Sequence, residues 1–226
     1  MARELVDRPT EAERIALLHQ RATRGPSPRH TPRMPVTDAP IALDYSEVKG
    51  LWFVSARRYA LERHGAEALA EVIATMKPRW RAALESPLAS AWYAEEAMKD
   101  AFAAASAVLA QGDEARIIEM FEGCALYGVT HFWRIALRVA STEFAVRMLP
   151  STWRHMRRGP GKMAVEVDGE RARVLYTSFP YFDDLNYRLL VIGTLRPLLR
   201  ISTGAEPRIS IAGYGTSWLT AEIEFA

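Results

Sequence analysis

The apolar positions of this chain change period once. Up to about residue 157 they recur at helical spacing, and beyond Gly159-Pro-Gly161 they alternate in twos. Lys49-Gly-Leu-Trp-Phe-Val54 opens the patterned region as a short apolar run that fits either a strand or the first turn of a helix. A helix follows through residues 57–64, and Gly65 breaks or caps it. The next helix, about 66–76, sets Ala66, Leu69, Ala70, Ile73 and Met76 on one face, and Pro78 stops it or starts the next turn. Ser90-Ala-Trp-Tyr-Ala-Glu-Glu96 leads into an alanine-rich helix over 97–110, with its acids in the first turn where the macrodipole favours them. Gly112-Asp113-Glu114 closes that helix and caps another, whose buried stripe is Ile117, Ile118, Phe121 and Cys124 or Ala125. Residues 126–138 are rich in aromatics. A further helix over 141–157 opens on Ser141 or Thr142, with Glu143 in its first turn.

Residues 163–176 alternate around Asp168-Gly169, the strongest hairpin signal in the chain. Residues 183–200 read as one helix with Leu185, Leu189, Ile192, Leu195 and Leu199 inward, kinked or ended by Pro197. Arg208-Ile-Ser-Ile-Ala and Trp218-Leu-Thr-Ala-Glu-Ile-Glu-Phe225 alternate as two strands across Gly213-Tyr-Gly215. Helices first and strands later, segregated in sequence, predict an α+β fold: a helical N-terminal part packed on a C-terminal antiparallel sheet.

Composition adds boundaries. The 226 residues fit one domain plus a tail. Residues 3–24 could form a short helix, but 25–40 carry five prolines and almost no large apolar group, so they cannot build a core. The expected organisation is an N-terminal segment and proline-rich linker over 1–44, a tail or a tether to a partner, then one folded domain over 45–226. No apolar run approaches the ~20 residues that span a bilayer, and the first residues lack a signal-like apolar region, so the expected location is the cytoplasm. Cys124 is the only cysteine, which excludes an intrachain disulfide and a cysteine-based zinc site; its apolar neighbours predict a buried small hydrophobe. A net charge of +2 gives no general pull toward nucleic acid.

Few residues carry candidate chemistry. There is no Gly-x-Ser-x-Gly, P-loop, dinucleotide fingerprint or His-Glu-x-x-His, so no catalytic residue is assigned. His131, beside Phe132 and Trp133, has no partner at metal-ligand spacing and reads as a packed histidine. His64 sits at a helix end, and Asp183-Asp184 sit where a helix begins, so capping is their expected role. Arg147, Arg154, Arg157 and Arg158 form the densest basic patch, either a solvated helix end or a contact for an anionic partner. The aromatics Trp52, Phe53, Tyr59, Trp92, Tyr93, Phe102, Phe121, Trp133 and Phe144 are expected mainly in the core.

The order of these elements resembles the haem–nitric-oxide-binding (H-NOX) domains. Phe53 to Glu67 is similar to their opening helix, Tyr93 to Gly123 to the segment with the Ala-Ala-Ala-Ser core, and Leu175 to Leu195 to the Tyr-x-Ser strand and its following helix. The likeness covers about residues 48–226. Two departures stand out. The family's haem-ligating histidine lies on the helix before a proline, here Leu149-Pro150, but the matching place reads Ser141-Thr-Glu-Phe144. Its Tyr-x-Ser-x-Arg motif holds the haem propionates; Tyr176 and Ser178 match, and Pro180 replaces the arginine. The wider superfamily includes vinyl-reductase-like ligand-binding domains and the small subunits of the TRAPP tethering complex, and the chain is most similar to a paralogous family of comparable size expanded in myxobacteria.

The resemblance implies an H-NOX-like fold around a ligand pocket, with Tyr176, Ser178, His131, Trp133 and Phe144 as its site residues. It implies a non-catalytic cytoplasmic sensor or adaptor domain without haem or other cofactor, which binds an apolar small molecule, a protein partner or a second copy of itself. Two alternatives stay open: an assembly subunit with a collapsed pocket, and a vinyl-reductase-like cofactor-binding enzyme.

Overall fold

The computed structural model describes residues 46–128 and 141–225, all within the unit Val36–Ala226. The expected N-terminal helix and linker lie outside the described residues. The run that fitted strand or helix is both. Strand β1 (Glu47–Lys49) places Val48 in the core, and Gly50 turns the chain into helix α1 (Leu51–Thr75). Gly65 breaks α1 as expected, with φ 88° and ψ 173°, a conformation that residues with a Cβ avoid. The kink resets the phase of the second arm. Leu69, Val72 and Met76 face inward, whereas Ala66 and Ala70, expected on that face, are exposed.

A 3₁₀ turn at Pro78–Trp80 and short helix α2 (Ala82–Glu85) lead to strand β2 (Trp92–Ala94). Helix α3 (Glu95–Val108) then buries Ala97, Met98, Ala101, Phe102 and Ala104, its small residues letting neighbours approach closely. Asp113 accepts the Arg116 N–H at 2.9 Å and so caps α4 (Glu114–Gly128), which turns Ile117, Met120, Phe121, Cys124 and Ala125 into the core. Phe102 meets Phe121 edge-on at 4.7 Å, and each fully buried aromatic of this kind contributes about 1.5–3 kcal/mol.

The single helix expected over 141–157 is two. Ser141 Oγ accepts the Phe144 N–H and starts α5 (Thr142–Arg147); the chain restarts at Met148 as α6 (Leu149–Met156), with Pro150 in its first turn. Proline has no N–H to continue the earlier helix, which explains the break. Strand β3 (Arg157–Arg158) then joins β1, giving a three-stranded antiparallel sheet in the order β2-β1-β3.

The C-terminal part matches the alternation. β4 (Lys162–Asp168) and β5 (Arg171–Thr177) pair as the expected hairpin, and β6 (Arg208–Tyr214) and β7 (Trp218–Glu224) complete an antiparallel sheet ordered β4-β5-β7-β6. One face buries Val174, Tyr176, Leu219, Ala221 and Ile223. The other carries exposed pairs such as Arg171–Glu224 at 3.1 Å and Arg173–Glu222 at 3.3 Å, worth little each, which keep that face solvated. Helix α7 (Leu185–Thr203) starts on Asp184, whose carboxylate accepts the Asn186 N–H, so this acid pair does contribute a cap. The helix holds Pro197 internally and runs three residues past the expected end. Tyr187, Leu190 and Val191 join the inward face, while Leu185 at the first turn is 38% exposed. The α+β architecture is the one the sequence predicts.

Candidate functional site

Strand β5 delivers Tyr176 to the buried face of the large sheet, 3% exposed, edge-on to Trp153 at 5.3 Å and to Phe182 at 5.4 Å. Tyr176 and Trp153 line a cavity of about 100 Å³. Its walls come from α6 (Leu149, Trp153), α7 (Leu190, Val191, Leu195), β4 (Met163), β5 (Tyr176), Arg157 at the start of β3, and Trp52 from the first turn of α1. A second cavity of about 30 Å³ lies among α1, α3 and α4, beside Phe102, Phe121 and Cys124. Trp52 lines both.

The polar side chains among the larger cavity's wall residues are Trp52, Arg157, Tyr176, Thr152 and Thr194. Trp52 Nε1 and Arg157 Nε are buried without a hydrogen-bond partner and present essentially no surface to the cavity, and the Tyr176 hydroxyl has no partner among the described residues. Burial drives the Tyr176 phenol above its ordinary pKa, opposed by the Arg157 guanidinium, so it stays a protonated donor. An unmade buried hydrogen bond costs about 1–3 kcal/mol, so such groups ask for an explanation.

Behind the wall lies a charged network. Glu95 is fully buried, and its Oε1 accepts from Arg157 Nη2 at 3.2 Å and from the Tyr187 hydroxyl at 2.9 Å. The Arg157 side chain is 7% exposed and stacks over Trp153 at 4.5 Å and Phe179 at 5.3 Å. Burial first, and the Glu95 carboxylate next, hold the Tyr187 phenol far above its ordinary pKa. The Tyr181 hydroxyl donates to Glu96 at 2.7 Å, and its ring stacks on Tyr187 at 5.2 Å.

The site residues expected from sequence divide. Tyr176 lines the cavity. Ser178 does not: it is exposed, with φ 59°, and its turn sends Phe179 inward, where Phe179 N–H donates to Ser217 O at 3.1 Å. Phe144 is corrected from cavity to surface, 57% exposed, because α5 turns Ala145 and Val146 inward instead. His131 and Trp133 lie outside the described residues. The arginine patch disperses. Arg147 pairs with Glu143 at 2.7 Å, Arg158 stacks over Trp92 at 4.0 Å, Arg154 is exposed, and Arg157 is withdrawn into the core by Glu95. Sequence reasoning missed Trp52 as a wall residue and Glu95 as a buried acid. Arg157, expected in the basic patch, is instead a wall residue of the cavity.

Cys124 is buried as expected, and burial pushes its thiol up to about 12. The thiolate is the reactive form. Iodoacetamide at mildly alkaline pH is therefore expected to leave Cys124 unmodified in the native protein and to label it on unfolding. Equal rates in both states, read by intact mass, would refute this.

The chain matches no protein-family model and no curated protein. Solved structures do resemble it. A mutant H-NOX protein from S. oneidensis in the Fe(II) state superposes with a TM-score of 0.61 at 12% identity, covering 79% of this chain and 96% of that one. An oxygen-binding H-NOX domain related to soluble guanylate cyclases, solved as its oxygen complex, gives 0.56 at 12% identity over 78% and 94%. A protein in which porphyrin distortion modulates haem redox potential gives 0.53 at 12% identity over 78% and 99%. The fold is therefore H-NOX-like.

Proposed function

We propose that this H-NOX-like fold serves as a non-catalytic cytoplasmic sensor or adaptor domain that takes a small, largely apolar ligand into the cavity beside Tyr176, without haem, and presents its occupancy to a protein partner. The observation that carries the reading is the half-open, largely apolar cleft of about 100 Å³ beside Tyr176, on the strand where the family resemblance placed the ligand. Among the described residues its wall carries no histidine, carboxylate or thiol, and its hydroxyls are those of Tyr176, Thr152 and Thr194.

Haem does not fit what the described residues offer. Sites for cofactor-sized ligands run to roughly 300–1,000 Å³, several times this cavity. Neither described histidine, His64 nor His155, lines it, and His155 Nδ1 lies 2.8 Å from Ser151 O within its own helix. A propionate needs an uncommitted cation, but Arg157 is neutralised by Glu95, and Pro180 supplies no charge.

Native mass spectrometry with an absorbance spectrum, on protein purified from its own host, tests the reading. The expected result is a small mass excess and no Soret band. A Soret band on purification or after haemin addition would overturn the haem-free reading. A clean apo mass, as a multimer or with a bound protein, would turn the reading into an assembly module with a filled pocket.

A further inference from the structure

We propose that the outer edge of strand β4 is a homodimer interface, on which β4 of a second copy pairs antiparallel about a two-fold axis at Val165. The proposal does not rest on the cavity holding a ligand. β4 is an end strand of the sheet β4-β5-β7-β6, and its seven residues pair with β5 in unbroken register. Among the described residues no element hydrogen-bonds its other side. An unpaired edge is a template for a further strand, and proteins commonly blunt it with a bulge, a proline or a short length. The opposite end strand, β6, carries such a device: its register against β7 shifts between Ile211 and Gly213. β4 has no bulge, proline or glycine. On its inner face Met163, Val165 and Val167 pack against the core yet stay half-buried, whereas their β5 partners Tyr176, Val174 and Ala172 are buried. That remaining exposure is what a missing neighbour strand leaves.

The occupant follows from charge. The outward charges of β4, β5 and β7 are matched within the chain with two exceptions. Arg171 meets Glu224 at 3.1 Å, and Arg173 meets Glu222 at 3.3 Å and Glu166 at 3.6 Å. Lys162 and Asp168 are left over, both exposed and without an ion-pair partner among the described residues. They stand at the two ends of β4, about 20 Å apart at ~3.3 Å per residue, too far to meet each other.

Antiparallel pairing about Val165 sets Lys162 of each copy opposite Asp168 of the other, so the strand's own sequence supplies the missing partner at both ends. The same register sets Met163 opposite Val167 and Val165 opposite itself. Apolar side chains then meet on the inner face, and two four-stranded sheets become one of eight. A slip of one residue would set inner apolar positions against outer charges, and a slip of two would leave one end of each strand unpaired.

The test is sedimentation velocity on the full-length chain over a wide concentration range, micromolar to near-millimolar, where a monomer–dimer equilibrium is expected. Like charges directly opposite in a ladder destabilise it as opposite charges stabilise it, so Lys162→Glu and Asp168→Lys, each alone, are expected to weaken the dimer about tenfold or more. Mixed in equal amounts, the two variants regain an attractive pair at both ends, and a mixed dimer is expected to form about as tightly as the unaltered one. Reversing one charge moves the net charge of +2 to 0 or to +4, so overall charge supplies no attraction between the variants. Circular dichroism melts check that both exposed substitutions fold; if one does not, the other still reads the pair. A monomer at every concentration would overturn the proposal. So would a dimer indifferent to the reversals, or folded variants that fail to combine on mixing, since either would place the contact on another surface.

Discussion

Glu95→Gln is expected to lower the unfolding free energy by about 3 kcal/mol, and Glu95→Ala by up to about 5. The acid is fully buried at the first turn of α3 and bonds two elements distant in sequence, Arg157 of β3 and Tyr187 of α7. Glutamine keeps an acceptor for both but leaves the guanidinium uncompensated inside the protein. The stacking of Arg157 on Trp153 and Phe179 is present with either residue at 95 and so offsets none of that loss. For a domain of this size the melting temperature is expected to fall by about 6–20 °C. The pair need not be a net gain over an apolar one, because burying both charges is itself costly. Adding Arg157→Met to Glu95→Gln should therefore recover most of the loss. A melting temperature unchanged in Glu95→Gln, or a double variant no better than the single, would show that the charges are hydrated in solution and that the cavity wall is not neutral.

That pair also marks the boundary of what the sequence shows. The β4–β5 hairpin, the alanine-rich α3 and the last two strands are visible because several residues in a row repeat a period. The sheet β2-β1-β3 is not visible: its strands span Glu47–Lys49, Trp92–Ala94 and Arg157–Arg158, too short to show alternation, and they meet only after folding. Glu95 follows β2 directly as the first residue of α3, and Arg157 opens β3, 62 residues on. Each taken alone has a sufficient local reading, a helix-first-turn acid and one arginine of a basic patch, because charged residues are almost always at the surface. Tyr176 was legible as a wall residue because it sits on the inward phase of a clear strand. Ser178 and Phe144 were misplaced because each lies at a break, the left-handed turn after β5 and the start of α5, where strand or helix phase no longer says which way a side chain points.

Gly193 carries the other large effect. It lies at the middle of α7 where that helix crosses α4, and a Cβ placed there would stand 2.6 Å from Phe121 Cβ, 2.8 Å from Ile118 O and 3.3 Å from Glu122 N. Gly→Ala in a free helix gains about 1 kcal/mol in propensity. Here the obstructing atoms are backbone or the root of a side chain and cannot swing aside, so the helices must separate, at about 1–3 kcal/mol for overpacking. Strain is expected to exceed propensity modestly for Gly193→Ala and decisively for Gly193→Val, whose added branch and poorer helix propensity take the loss to about 3 kcal/mol or more. Leu185→Ala on the same helix, at a position 38% exposed, serves as the control and is expected to cost well under half of that. Denaturant unfolding of the three variants decides it. A stabilised Gly193→Ala would mean that α4 and α7 stand farther apart than described. Because α7 also supplies Leu190, Val191 and Leu195 to the cavity, a Gly193→Ala protein that folds with reduced stability should show a changed ligand occupancy by native mass spectrometry. A change confined to stability would separate the helix crossing from the ligand site.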